Sequence, residues 1–118
     1  MSEHDEQSAL IDWANLVKNK YPELKWLYAN ANGGHRHVLT AIKLKREGVK
    51  PGVFDLFLPV ARGGFHGLYI EMKYGKNELS DAQVEFKHFI FSQNYCNGVF
   101  WSWIKAKDFI INYLELTL

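Results

Sequence analysis

Pro51-Gly52-Val53-Phe54-Asp55-Leu56-Phe57-Leu58-Pro59 and, beyond Ala61-Arg62-Gly63-Gly64-Phe65-His66, Gly67-Leu68-Tyr69-Ile70-Glu71-Met72-Lys73 are the stretches on which the reading of this chain turns. Both are short apolar runs rich in β-branched and aromatic residues, as strands are. The glycine-rich segment between them has the composition of a hairpin loop. Strand side chains alternate between faces, so Leu68, Ile70 and Met72 are expected to enter an apolar layer while Glu71 and Lys73 share the opposite face. Asp55 is the one charge inside the first run.

Antiparallel pairing of the two runs brings Asp55 beside Glu71. Two neighbouring carboxylates in a partly buried place repel unless a cation neutralises them, and their hard oxygen donors suit Mg²⁺ or Mn²⁺. The backbone carbonyl of Met72, between the acid and the lysine, is a further candidate ligand. Lys73, one strand step on, is placed to orient or deprotonate a water.

The pattern Pro51, Asp55, Glu71-Met72-Lys73 resembles the signature of the PD-(D/E)XK nucleases. More narrowly, Pro-Gly-Val-Phe-Asp-Leu followed by Ile-Glu-Met-Lys is similar to the VRR-NUC branch, with Phe54 standing where related domains often have Pro. The resemblance runs from Glu3 to about Trp103. It implies an α/β fold with a PD-(D/E)XK (restriction-endonuclease-like) core, a small mixed β-sheet flanked by helices. It also implies a metal ligand from the first helix: Glu3, paired one helical step on with Gln7, with Glu6 as the rival acid. A glutamine early in the third helix, Gln83, is implied to face the site. Asn32-Gly33-Gly34 followed by Arg36 matches a loop in which backbone N–H groups and the guanidinium seat a phosphate.

Bulk properties bound the rest. The chain has 118 residues, which suits one domain over 1–118 with a core that needs no disulfide. The formal net charge of +1 does not by itself suggest nucleic acid. The basic residues are concentrated, however: Lys43, Lys45, Arg46 and Lys50 precede the Asp55 strand, opposed only by Glu47, and with Asn32, Arg36 and Lys87 they form the expected DNA-binding set. Cys96 is the single cysteine, and no signal peptide or membrane-length apolar run is present, so a cytoplasmic setting is expected, in a bacterial cell with a phage or prophage origin open.

Apolar spacing predicts a first helix from Ser2 to about Lys20, a short strand at Lys25–Ala29, and a second helix from His37 to Glu47 with Val38, Ala41, Ile42 and Leu44 inward. Gly48 is read as the left-handed residue that closes that helix. Ser80 and Gln83 have capping-box spacing at the start of a third helix. Asn97-Gly98 reads as a turn, Val99–Trp103 as a buried strand, and Ile104–Leu116 as a closing amphipathic helix.

Taken together these readings lead to a stand-alone, metal-dependent, structure-selective DNA endonuclease. Glu3, Asp55, Glu71 and the Met72 carbonyl hold Mg²⁺ or Mn²⁺, and Asp55, Glu71, Lys73 and Gln83 form the catalytic set. A Holliday-junction resolvase is the favoured form, which requires a homodimer because symmetric cutting needs two sites on a two-fold axis. A monomeric flap, nicking or exonuclease, and a non-catalytic DNA-binding module on a nuclease fold, are the alternatives.

Overall fold

The computed structural model describes residues 1–30 and 38–117. Helix α1, Glu3–Leu16, starts at Ser2, whose Oγ accepts from the Asp5 N–H while the Ser2 N–H donates to the Asp5 carboxylate. This reciprocal cap satisfies two otherwise orphan donors. The helix stops a turn short of the expected Lys20. A 3-10 helix, Pro22–Trp26, then takes the place of the first part of the expected Lys25–Ala29 strand. Pro22 presets the helical φ of that turn, and Leu24 and Leu27, three residues apart, are both buried by it. Only Tyr28–Ala29 remains as strand β1.

Helix α2, Val38–Arg46, closes on Gly48 as the sequence predicts. Gly48 has φ +102°, the Val49 N–H donates to the Leu44 carbonyl, and the Gly48 N–H donates to the Lys45 carbonyl. These are the two bonds of a Schellman motif. The expected inward face is not buried: Ala41 and Ile42 are exposed, and Leu44 is half-buried. The physical reason is that no other described helix or strand packs closely on α2, so its apolar side chains have no surface to bury against.

Strands β2, Leu56–Leu58, and β3, Leu68–Met72, pair antiparallel with Leu56 opposite Ile70 and Leu58 opposite Leu68. Their connection tightens at Arg62–Phe65, which exchange two backbone hydrogen bonds around Gly63 and Gly64, both at positive φ. Two consecutive positive φ angles match the twist of a hairpin and are open to glycine at little cost. Helix α3, Asp81–Ser92, carries the chain over to β4, Cys96–Phe100, which runs parallel to β3, and α4, Trp103–Leu114, comes last. The sheet is therefore mixed, in the order β1-β2-β3-β4.

Two expectations fail around β4. Asn97-Gly98 lies inside the strand, and the turn falls earlier, at Asn94, which takes a φ of 65°. Gly98 is used instead for space, since a Cβ there would lie 2.5 Å from the Phe100 ring. Trp101 is outside the strand and exposed, and Trp103 opens α4 behind the Ser102 cap.

The alternation of β2 and β3 divides the sheet into two chemically different faces. Leu56, Leu58, Leu68, Ile70 and Met72 form an aliphatic layer with Leu10 and Ala14 of α1 and with Ala106, Ile110, Tyr113 and Leu114 of α4. The other face is aromatic. Phe57 and Tyr69 stack with ring centroids 4.4 Å apart, and Phe86 of α3 meets Tyr69 edge-on at 5.2 Å.

Gly52 sets the distance between the β2 strand and α3. It has φ +88°, and a Cβ there would sit 2.4 Å from the Ala82 carbonyl oxygen. Gly52→Ala must displace α3, whereas at Gly48 the space is open and only the positive φ is penalised. Gly48→Ala is expected to cost about 1 kcal/mol and Gly52→Ala roughly 2–5 kcal/mol, read as midpoints of urea unfolding.

Candidate active site

The β2–β3 register, carried one step past Leu56↔Ile70, puts Asp55 opposite Glu71. Here side chains replace the ladder. The Asp55 N–H donates to Glu71 Oε1 at 3.0 Å, and the Met72 N–H donates to Asp55 Oδ2 at 3.0 Å. Each carboxylate accepts from the main chain of the other strand, so the two acids are held by the backbone itself. Asn30, at the end of β1, fixes the same corner: its N–H donates to the Asp55 carbonyl at 2.7 Å and its Nδ2 to the Phe54 carbonyl at 2.8 Å. Asn30 is not among the residues that the sequence singles out. Its signal there is no more than an amide directly after a very short strand.

Glu3 arrives from the first turn of α1. Carboxylate oxygens of Glu3, Asp55 and Glu71 lie within 4.8 Å of one another, with Glu3 and Asp55 half-buried and Glu71 buried. Glu6 is outside this group. It is buried one helical turn further on, and its Oε2 has no hydrogen-bond partner among the described residues. Of the two rival acids, the geometry places Glu3 with the strand carboxylates.

Lys73 and Gln83 complete the constellation. Gln83 Oε1 accepts from the Ser80 N–H at 2.9 Å and from Lys73 Nζ at 2.8 Å, while Gln83 Nε2 donates to Glu71 Oε2 at 2.8 Å. Capping and facing the site are thus done by one side chain. Lys73 Nζ also lies 3.5 Å from Glu71 Oε2.

No family model matches the chain, and no curated protein matches it. Among solved structures, one described as a VRR_NUC domain protein superposes with a TM-score of 0.83 at 28% sequence identity, over 99% of this chain and 91% of that one. The fold is that of a VRR-NUC domain. It is an α/β nuclease-family fold, and the carboxylate cluster sits at the Asp55 and Glu71-Met72-Lys73 positions of the signature.

The other residues singled out from sequence are placed unequally. In the VRR-NUC fold of this chain Lys43, Lys45, Arg46 and Lys50 are all exposed, on α2 and the turn leading to β2. Lys87 is half-buried, with Nζ donating to Asn97 Oδ1 at 2.9 Å, so it is tied to β4. Asn32 and Arg36 lie outside the described residues. The Met72 peptide is anchored at the cluster by its N–H bond to Asp55.

The donor set of the VRR-NUC site fits a divalent cation. Two oxygens on one Mg²⁺ at about 2.1 Å lie at most about 4.2 Å apart, so the 4.8 Å cluster is a small adjustment from a shared ligand set. The electrostatics agree. Burial and then the Asp55 charge push Glu71 up to about 8, against partial relief from Lys73, and Glu3 is raised by the same two causes. Below about 8 Glu71 therefore carries a proton in the metal-free fold, and a cation must displace it.

Stability and metal affinity both become pH-dependent through this proton. The unfolded chain loses the Glu71 proton near 4.5 and the folded one near 8, so the stability of the metal-free protein should fall as pH rises between those values. Mg²⁺ affinity should rise about tenfold per pH unit below that upper value and level off above it. Thermal melts with and without Mg²⁺ from pH 6 to 9 check both: the metal-free midpoint falls, and the increment given by Mg²⁺ grows.

Proposed function

We propose that this protein is a metal-dependent, structure-selective DNA endonuclease that hydrolyses phosphodiester bonds with an activated water. The observation that carries the reading is the convergence of Glu3, Asp55 and Glu71 within 4.8 Å, with Lys73 beside them, in a VRR-NUC fold.

Glu3, Asp55, Glu71 and the Met72 carbonyl would hold Mg²⁺ or Mn²⁺. When bound, the cation supplies positive charge that acidifies a water and offsets charge developing on the phosphate. The chain's own residues do the positioning. Lys73 Nζ orients the water by donating a hydrogen bond to it. Gln83 is a positioning residue: it holds Lys73 through Oε1 and Glu71 through Nε2, so both reacting groups are referred to the start of α3. Asn30 holds the Asp55 peptide in the same way from β1. Among the described residues that form this constellation, Glu3, Asp55, Glu71, Lys73 and Gln83, there is no hydroxyl or thiol, which favours direct attack by water over a covalent intermediate.

The exposed Lys43, Lys45, Arg46 and Lys50 would supply a cationic surface for the phosphate backbone. A domain this small has little surface for reading base sequence, which favours recognition of DNA shape. Resolution of a four-way junction is the form we favour. It requires a second copy related by a two-fold axis, so that two sites cut symmetrically.

The test is cleavage of an end-labelled four-way junction, a flap, a plain duplex and a single strand in Mg²⁺ and in Mn²⁺. Paired symmetric nicks in the junction are expected, together with a dimer by sedimentation. Equal cutting of all substrates by a monomer would establish a general nuclease instead, and folded protein that binds DNA but cuts none of them would be a binding module. Asp55→Asn, which keeps an acceptor for the Met72 N–H, and Lys73→Ala should each reduce cleavage by about 10²–10⁴-fold. DNA affinity measured in EDTA should stay within about twofold for Asp55→Asn, since no phosphate contact is removed.

A further inference from the structure

A cavity of about 540 Å³ opens between the end of β4 and the outer face of α4. It is separate from the carboxylate cluster, and the proposed hydrolysis makes no use of it. Phe100, Trp101, Ser102, Lys105, Phe109 and Asn112 line it, with Asp108 in its wall.

The cavity is bonded to the catalytic strand. The Lys73 N–H donates to the Phe100 carbonyl at 2.8 Å, so the backbone of Trp101 begins one peptide step from the backbone of Lys73. The Trp101 ring is fixed from the same side. Its Nε1–H donates at 2.8 Å to the carbonyl of Asn77, in the loop that leaves Lys73 for α3. Fixed by that bond, the indole is still 47% exposed. A large ring held at its polar edge and half exposed in the cavity wall suits a stacking platform, because the ordering cost is met in the free protein.

Charge and polarity fit one kind of occupant. Among the described residues Lys105 has no carboxylate partner, whereas the carboxylate of Asp108 is engaged by Lys107 at 3.5 Å. An unpaired ammonium beside an exposed indole matches a phosphate beside a nucleobase. Ser102 and Asn112 add a hydroxyl and an amide for the polar edge of a base. The Phe100 and Phe109 rings, with centroids 5.2 Å apart, make an apolar floor.

We infer that this cavity receives an unstacked nucleobase of the DNA substrate, with its ring on Trp101 and its phosphate on Lys105. The site thereby reads the presence of an unpaired nucleotide in the DNA substrate. A paired duplex has no base free to enter. This rests on the nuclease reading and adds the feature of branched or gapped DNA by which the substrate is selected.

The test is binding in EDTA, monitored by anisotropy of labelled oligonucleotides: a fully paired duplex and the same duplex carrying a three-nucleotide single-stranded gap. The parent should prefer the gapped DNA. Trp101→Leu should reduce the gapped-to-duplex affinity ratio about tenfold, Lys105→Gln should reduce gapped-DNA affinity about threefold, and Trp101→Phe should retain most of the preference. Circular dichroism establishes the fold of each variant. If Trp101→Leu does not fold, Trp101→Phe and Lys105→Gln still decide the matter. A parent without gap preference, or a preference that Trp101→Leu leaves intact, overturns the inference while the nuclease reading stands. Self-association lost in Trp101→Leu with the gap preference unmoved assigns the cavity to a second copy and also overturns it. A parent that binds neither DNA sinks the nuclease reading itself.

Discussion

Two carboxyl groups held side by side on adjacent strands are the constraint on which the rest of this structure depends. Burial, and then the Asp55 charge, disfavour a second carboxylate here and push Glu71 up to about 8. The two groups stay together because each accepts an N–H from the other's strand, the Asp55 N–H on Glu71 and the Met72 N–H on Asp55. A hydrogen bond to a charged group is worth about 1.5–3 kcal/mol, so the bond to Asp55, and that to Glu71 once a cation has displaced its proton, hold the pair in place. They also orient both carboxylates by main-chain geometry, which does not relax as a side-chain contact would.

Every other part of the site is brought to that pair from a different element. The aliphatic face of the sheet carries α1, and the first turn of α1 delivers Glu3. The aromatic face carries α3 through Phe86, and the first turn of α3 delivers Gln83 to Glu71 and Lys73. Gly52 permits the close approach of α3, since any larger residue would meet the Ala82 carbonyl. The two faces of one small sheet thus act as two independent supports for one cluster, an aliphatic layer for the acid and a layer of interlocked rings for the amide. The parallel strand β4 extends this frame past Lys73 to Trp101.

Much of this was legible in the chain. Asp55 and the Glu71-Met72-Lys73 run carry their own register, because a period of two decides which residues share a face and the glycines at 63 and 64 close the hairpin that pairs them. Ser80 and Gln83 announce the α3 cap by spacing alone, and Gly48 announces the end of α2. The misreadings share a cause: local composition does not say what space is left. Gly98 reads as a turn residue but serves to admit the Phe100 ring, and Trp101 and Trp103 read as a strand core but lie beyond the strand's end. Ile42 has the spacing of an inward residue, yet α2 packs closely on no other described element and leaves it exposed.

By itself, then, the sequence determined most local elements and the pairing of β2 with β3, since hairpin register, capping and left-handed glycines depend on neighbours a few residues away. Tertiary structure alone decided which acid of α1 joins the cluster. Glu3 and Glu6 are both in the acidic first turn by sequence, and only the packing of α1 on the sheet turns one toward Asp55 and buries the other. It also decided that Gln83 serves the cap and the site at once, and that Asn30 anchors Asp55. Those roles depend on distances between elements far apart in the chain, which no local pattern encodes.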